Sequence, residues 1–381
     1  MDFISGLGSG VIGYIIPFLF VLTVVVFFHE LGHFLVARWC GVRISAFSVG
    51  FGPELIGRYD RHGTRWKLCA IPLGGYVKFA GDENAASVPD REALEAVPES
   101  ERAGLFAFKP VWQRAAVVAA GPFANFILSI SIFALIFMLV GKPITEARVD
   151  KVDPAGAAAA AGIRPGDRIV SVGGSAIDSF GDLQRIVSAS AGVPLTIGLD
   201  RGGTPMTLSV TPAPREITDR FGNVQKVGLL GIERSIEPGD VRTRHYGPLE
   251  AIGAGAAETW FIIARTGDYL AGVVTGRESP DQLGGPIRVA QVSGQVATLG
   301  VLALINLVAV LSVSIGLLNL LPVPMLDGGH LAFYAAEAVR GRPLSARAQD
   351  IGFRIGLAFV LFLMVFATWN DLTQILFRKA G

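Results

Sequence analysis

Four stretches of the chain are apolar for long enough to cross a bilayer, and charged positions gather between them. They cover about residues 11–36, 115–140, 299–326 and 351–376, the last broken by Arg354 and Asp371. Between the first two, Arg65–Ala80 carries Gly74-Gly75 between two strand-like arms, which predicts a β-hairpin turning on the two glycines. The 82–104 stretch is acidic and rich in Ala and Pro, as a loop or short helix would be.

Between the second and third spans the pattern is that of a small soluble domain. Arg164–Gly174 reads as a turn and a strand, and Phe180–Ala191 as a short amphipathic helix. Leu195–Asp200 and Met206–Val210 form a hairpin around Arg201-Gly-Gly203, and Val227–Ile232 reads as a last strand. Residues 247–276 then suggest an amphipathic helix at the outer membrane interface, and Asp281–Ile287 interrupts the chain before the third span. The boundaries that follow are 1–37 for the first transmembrane helix, 38–114 for a region with the hairpin, and 115–141 for the second helix. Next come 142–236 for the soluble domain, 237–298 for an extracytoplasmic amphipathic region and 299–330 for the third helix. Residues 331–350 form a loop, and 351–381 the fourth helix and tail.

Composition agrees with residence in a lipid bilayer: 51% of residues are hydrophobic, 17% are charged, and mean hydropathy is +0.50. A net charge of +1 offers no basic surface for nucleic acid. Residues 1–37 hold no Lys or Arg, whereas 38–114 hold eleven, and 327–350 hold Arg340, Arg342 and Arg347. The positive-inside bias therefore predicts that these two loops are cytoplasmic and that the N-terminus, the soluble domain and the C-terminus are outside. With no basic n-region, the first span should remain in the protein. Cys40 and Cys69 have neither zinc-ribbon nor thioredoxin spacing.

The chemistry sits in two motifs. His29-Glu30-Leu-Gly-His33 places two imidazoles on one helical face, able to bind one metal ion, with Glu30 beside them as a general base. Charged groups in an apolar helix cost about 2.5–3.5 kcal/mol each. Two ligands leave a zinc site incomplete. The third span ends in Asn319-Leu-Leu-Pro-Val-Pro-Met-Leu-Asp327, whose prolines break the helix at the depth of the histidines. Asp327 is the natural third ligand, with His330 its rival. Asn319 is placed to hold a substrate backbone or an oxyanion, or to cap the broken helix. In the second span, Gly121 and Ala124 permit close packing, and Asn125 requires an interhelical hydrogen bond.

Together these features resemble the site-2 protease family of intramembrane zinc metalloproteases, in the bacterial regulator-of-sigma-E form. The matching residues are His29–His33, Ile71–Lys78, Ala120–Asn125, Leu283–Ile287 and Asn319–Asp327, and the soluble region resembles a PDZ domain. The resemblance implies a polytopic α-helical membrane protein of four transmembrane helices, with a membrane-associated β-hairpin and an inserted extracytoplasmic PDZ-like α/β domain. It implies Zn2+ on His29, His33 and Asp327, catalysis by Glu30, and a substrate held as a strand by Gly74, Gly75, Tyr76 and Val77, with Asn319 nearby. Its substrates would be single-span membrane proteins, such as anti-sigma factors and signal-peptide remnants, trimmed first by an upstream protease. The implied location is the bacterial inner membrane, with the active site near the cytoplasmic face. Some relatives carry two tandem PDZ domains, whereas this chain has room for one. The competing reading is a non-catalytic scaffold recruiting partners through its PDZ domain; such a protein has no use for Glu30.

Overall fold

A computed structural model describes residues 2–81, 97–218, 224–235, 240–277 and 284–378. Most of the acidic 82–104 stretch, and residues 281–283, lie outside the described residues. The chain divides into two compact units, Met1–Ala134 with Ile252–Gly381, and Leu135–Ala251.

The first unit is built on long apolar helices. Four of them qualify as membrane spans, over Gly13–Trp39, Val111–Leu139, Val301–Asn319 and Arg347–Thr373. They belong to α1 (Asp2–Trp39), α2 (Val111–Leu139), α6 (Val301–Asn319) and α8 (Ala346–Arg378). The third helix is shorter than its apolar run, because Pro322 and Pro324 keep Leu320–Leu326 out of helical geometry. Chain beyond it expected as loop is instead α7 (Asp327–Arg340), stopped by Gly341 in the left-handed region.

The hairpin expected within residues 65–80 does not form. β1 (Ile44–Tyr59) and β2 (Arg65–Phe79) are both bent, and β1 lies between the two arms assigned to that hairpin. Ala46–Val49 pairs with Lys78–Gly75 on one side and with Arg65–Leu68 on the other; Leu68–Arg65 pairs in turn with Ile56–Tyr59. The segment 44–49 holds its place because Phe47, fully buried, packs against Phe34 of α1 and against Trp66. Of the two glycines only Gly74 has positive φ (150°), and Gly75 belongs to the strand. Arg38, in the last turn of α1, ties the sheet down through Asp60 at 2.6 Å and Thr64 at 3.2 Å. Burial opposes ionisation of Asp60, but Arg38, two backbone N–H groups and Trp66 hold its carboxyl below the usual carboxylate range.

α4 (Pro248–Val274) corresponds to the amphipathic 247–276 stretch. Gly255 packs on Ile130 and Ala134, and Thr259 meets Ser129 at 3.2 Å, so this helix is in contact with α2. Small residues allow that approach. α5 (Pro286–Ala297), absent from the expected elements, packs on α1. The buried carboxylate of Asp371 in α8 accepts the backbone N–H groups of Gly285 and Arg288 at the start of α5. That cap accounts for an acidic residue in the fourth apolar run.

The second unit closes around Val149, Ile169, Val172, Leu183, Ile197 and Leu199, each almost fully buried. Helix α3 (Phe180–Ser188) turns Leu183 and Val187 into this core and is capped by Ser179, which accepts the Asp182 N–H. Strands Leu195–Arg201 and Thr204–Val210 pair around Gly202-Gly203, both at positive φ, as the sequence predicts. The expected single strand at 227–232 is instead two: Val224–Leu229 pairs with Ala213–Thr218, and Ile232–Glu233 pairs with Lys151–Val152. Gly231 at φ 77° makes the break between them. Asp167 is 1% exposed and gripped through both carboxylate oxygens by Arg201 at 2.8 Å.

Candidate metal centre

Helical spacing brings His29 and His33 one turn apart on α1, with their Nε2 atoms 3.2 Å from each other. α2 lies against this face at very short range. A Cβ on Gly32 would strike the Ala120 carbonyl, and one on Gly121 would strike the His33 ring and His29 Cε1. The same helix orients the imidazoles from behind. His33 Nδ1 donates to the Val117 carbonyl at 2.9 Å, and His29 Nδ1 faces Asn125 Nδ2 at 3.3 Å. Asn125 is fully buried, its Oδ1 has no hydrogen-bond partner, and Ser312 of α6 donates to its backbone carbonyl. The interhelical bond required of Asn125 therefore ends on a histidine.

Asp327 enters from the opposite side as the first residue of α7. Its Oδ2 stands 3.1 Å from His29 Nε2 and 3.5 Å from His33 Nε2. Gly328 and Gly329 make this possible, because Cβ atoms there would collide with the Leu320, Leu321 and Val323 carbonyls. Met325 is held at φ 91°, a conformation that costs a non-glycine residue about 1–3 kcal/mol. The far end of α7 is pinned to α2 by Arg114 and Glu337, paired through two hydrogen bonds of 2.6 and 3.2 Å, with Arg114 also over the Tyr334 ring. His330 is not part of the cluster; its ring packs against Phe353.

Glu30, next in sequence to His29, accepts the backbone N–H of Val77. A Cβ on Gly75 would lie 3.0 Å from Glu30 Cγ and 3.1 Å from Val26 Cγ1, so the strand can run this close only as glycine. Gly75 and Val77 are thus brought to Glu30, whereas Gly74 packs against the Phe51 ring. The Tyr76 ring also stacks on Phe51, and its hydroxyl accepts from Lys67. Asn319 ends α6 half-buried, with no side-chain hydrogen bond among the described residues.

Two imidazoles and a carboxylate form one cluster, with donor atoms all within 4.8 Å of one another. Asp327 Oδ2 is buried without a well-directed hydrogen bond despite its two imidazole neighbours. An orphaned carboxylate oxygen facing two ring nitrogens suits a cation, and a three-donor set with a fourth position open is that of a catalytic zinc site.

Residues 17–363 match peptidase family M50. The chain belongs to that family. It is 54% identical over 364 residues to a protein of Agrobacterium fabrum that carries a zinc metalloprotease name, covering 96% of this chain and 97% of that one. A similarly named protein of Rhizobium meliloti is 55% identical over 94% of this chain and 96% of its own length. Metalloprotease MmpA of Caulobacter vibrioides is 44% identical over 94% and 95%. A PDZ domain of an SdrC-like protein from Listeria monocytogenes matches 23% of this chain and 85% of that domain at 19% identity; the TM-score of 0.19 is too low to carry the fold. This M50 chain is a zinc metalloprotease of the site-2 type, with helices suited to a multi-pass membrane protein.

Some features of the centre had no signal in the sequence. The Val117 carbonyl is a backbone group, and Arg114 and Glu337 are 223 positions apart. The second unit holds a concavity of its own, a groove of about 560 Å³ between Leu183, Gln184 and Val187 of α3 and Leu229–Ile232. No peptide-binding loop was legible there in the sequence.

Proposed function

We propose that this metalloprotease hydrolyses peptide bonds within membrane-spanning segments of single-span proteins, with His29, His33 and Asp327 as zinc ligands and Glu30 as general base. The observation that carries the reading is the meeting of Glu30 with both the three-donor cluster and the strand Gly75–Phe79. Zinc, when bound, supplies Lewis acidity toward water and the scissile carbonyl. Glu30 takes a proton from the attacking water and passes it to the leaving nitrogen. A helical peptide bond is shielded by its own turn, so the substrate must be drawn out. Laying it along Gly75–Val77 as an added strand holds it extended beside Glu30. Asn319 takes the substrate backbone.

The Lys/Arg bias supports an inner-membrane protein with its N-terminus and inserted soluble unit outside and its centre near the cytoplasmic face. Anti-sigma factors and signal-peptide remnants, shortened first by another protease, fit that geometry. The second unit then selects substrates rather than taking part in the chemistry. Its groove supports capture of an extended segment rather than exclusion of bulky outer domains.

Glu30→Gln is the direct test, using purified protein and a model transmembrane substrate. Cleavage should be abolished while zinc stays bound, and His29→Ala or His33→Ala should lose the zinc. Turnover at the wild-type rate in Glu30→Gln would remove Glu30 as the base.

A further inference from the structure

Among the described residues Asn125 is the one fully buried amide facing a proposed zinc ligand, and its two ends are chemically opposite. A histidine that gives Nε2 to a metal carries its hydrogen on Nδ1, so the group behind it must accept. With Nδ2 toward His29, as at 3.3 Å, two donors face one another when Nε2 is a ligand, and Oδ1 has no partner. A half-turn about the Cβ–Cγ bond exchanges the two ends with little change of shape. Oδ1 then accepts His29 Nδ1–H, which removes the opposition of two donors, and Nδ2 takes the place that Oδ1 holds.

We propose that Asn125 is a positioning residue for zinc, presenting Oδ1 to His29 Nδ1–H and so fixing the tautomer in which Nε2 is free to bind the metal. This rests on the assignment of His29 as a ligand. The neighbouring imidazole is already held in this way, since His33 Nδ1–H donates to the Val117 carbonyl at 2.9 Å. His29 lies four residues earlier on α1, where among the described residues no backbone carbonyl accepts from its Nδ1 and the Asn125 side chain faces it instead. Its backbone is fixed in turn by Ser312 of α6 at 2.9 Å, so the amide has a rigid base.

The proposal predicts an order among variants that a packing role reverses. Asn125→Asp offers an acceptor in either orientation, whereas Asn125→Leu keeps the volume and offers none. Zinc affinity is measured on the full-length protein in detergent by competition with a chromogenic chelator, beside the thermal midpoint of the zinc-free protein. Asn125→Leu should bind zinc about 10- to 100-fold more weakly, with the zinc-free midpoint unchanged or raised. Asn125→Asp should bind at wild-type strength or tighter. If Asn125 only packs, Leu keeps its zinc and Asp loses it, and that order overturns the proposal. Should Asn125→Asp not fold, wild-type zinc affinity in Asn125→Leu overturns it alone. His29→Ala separates the two levels: zinc retained there would sink the ligand assignment itself, whereas zinc lost there but kept in Asn125→Leu sinks only the role of Asn125.

Discussion

Gly121→Ala is a one-carbon perturbation whose effects on stability and on metal binding should have opposite signs. The new Cβ would point at His33 Nε2 and Cε1, with His29 Cε1 2.9 Å away. Without metal the rings are held only by the Val117 hydrogen bond and the Asn125 contact, and as the ends of side chains they can yield. The zinc-free protein then gains helix propensity, about 1 kcal/mol for Gly to Ala in a helix interior. With metal the rings cannot move, and the overpacking, about 1–3 kcal/mol, falls on the loaded state alone. At about 1.4 kcal/mol per tenfold, zinc should bind roughly 5- to 150-fold more weakly. Chelator competition measures the affinity, and thermal unfolding of zinc-free protein measures the stability. Gly32→Ala is the contrast: its Cβ would meet the Ala120 carbonyl and the Ala124 Cβ, which cannot swing away, so the zinc-free fold itself should lose stability. Wild-type zinc affinity in Gly121→Ala would refute the reasoning, as would an equal loss of stability in the two variants.

Glu337→Gln should cost about 3 kcal/mol, the lower end for a buried pair because both side chains retain some exposure. Arg114→Met with Glu337→Leu should recover most of it in denaturant unfolding, and full additivity of the two changes would count against the pair. In the second unit, the Arg201 guanidinium holds the Asp167 carboxyl below its ordinary range. A folded-state value below the unfolded one adds stability that is complete above about pH 4 and is lost as pH falls toward the folded value. Asp167→Asn should therefore flatten the acid limb of stability against pH below about 4, and an unchanged limb would exclude this pair as its source.

The three-donor cluster was legible because one helical turn fixes the relation of His29 to His33, and because two prolines beside Asp327 announce a broken membrane helix. The spans were legible from apolar length alone. The sheet was not. Gly74-Gly75 between two strand-like arms is a hairpin signal, but strand pairing is settled by which apolar face can be buried. Phe47 wins the space against Phe34 and Trp66, drawing residues 44–49 between the two arms. α7 was hidden for a related reason: its start lies in a motif read for chemistry, and its hold on α2 is an ion pair between distant residues. α5 is short and polar enough to pass for loop, and its cap comes from Asp371, 86 positions beyond Gly285.

The three donor side chains come from the two ends of the chain, with Asp327 separated from His29 by 298 positions (327 − 29). At about 5–20 residues per second, a ribosome needs roughly 15–60 s to travel from one to the other. During that interval the first helix carries two histidines and a glutamate but lacks the carboxylate that completes the cluster. A newly made protease is surrounded by unfolded chains, its own included, that it could destroy. Here the three-donor cluster can assemble only after the inserted soluble unit has been synthesised, so the unit proposed to select substrates exists before the proposed means to cut them.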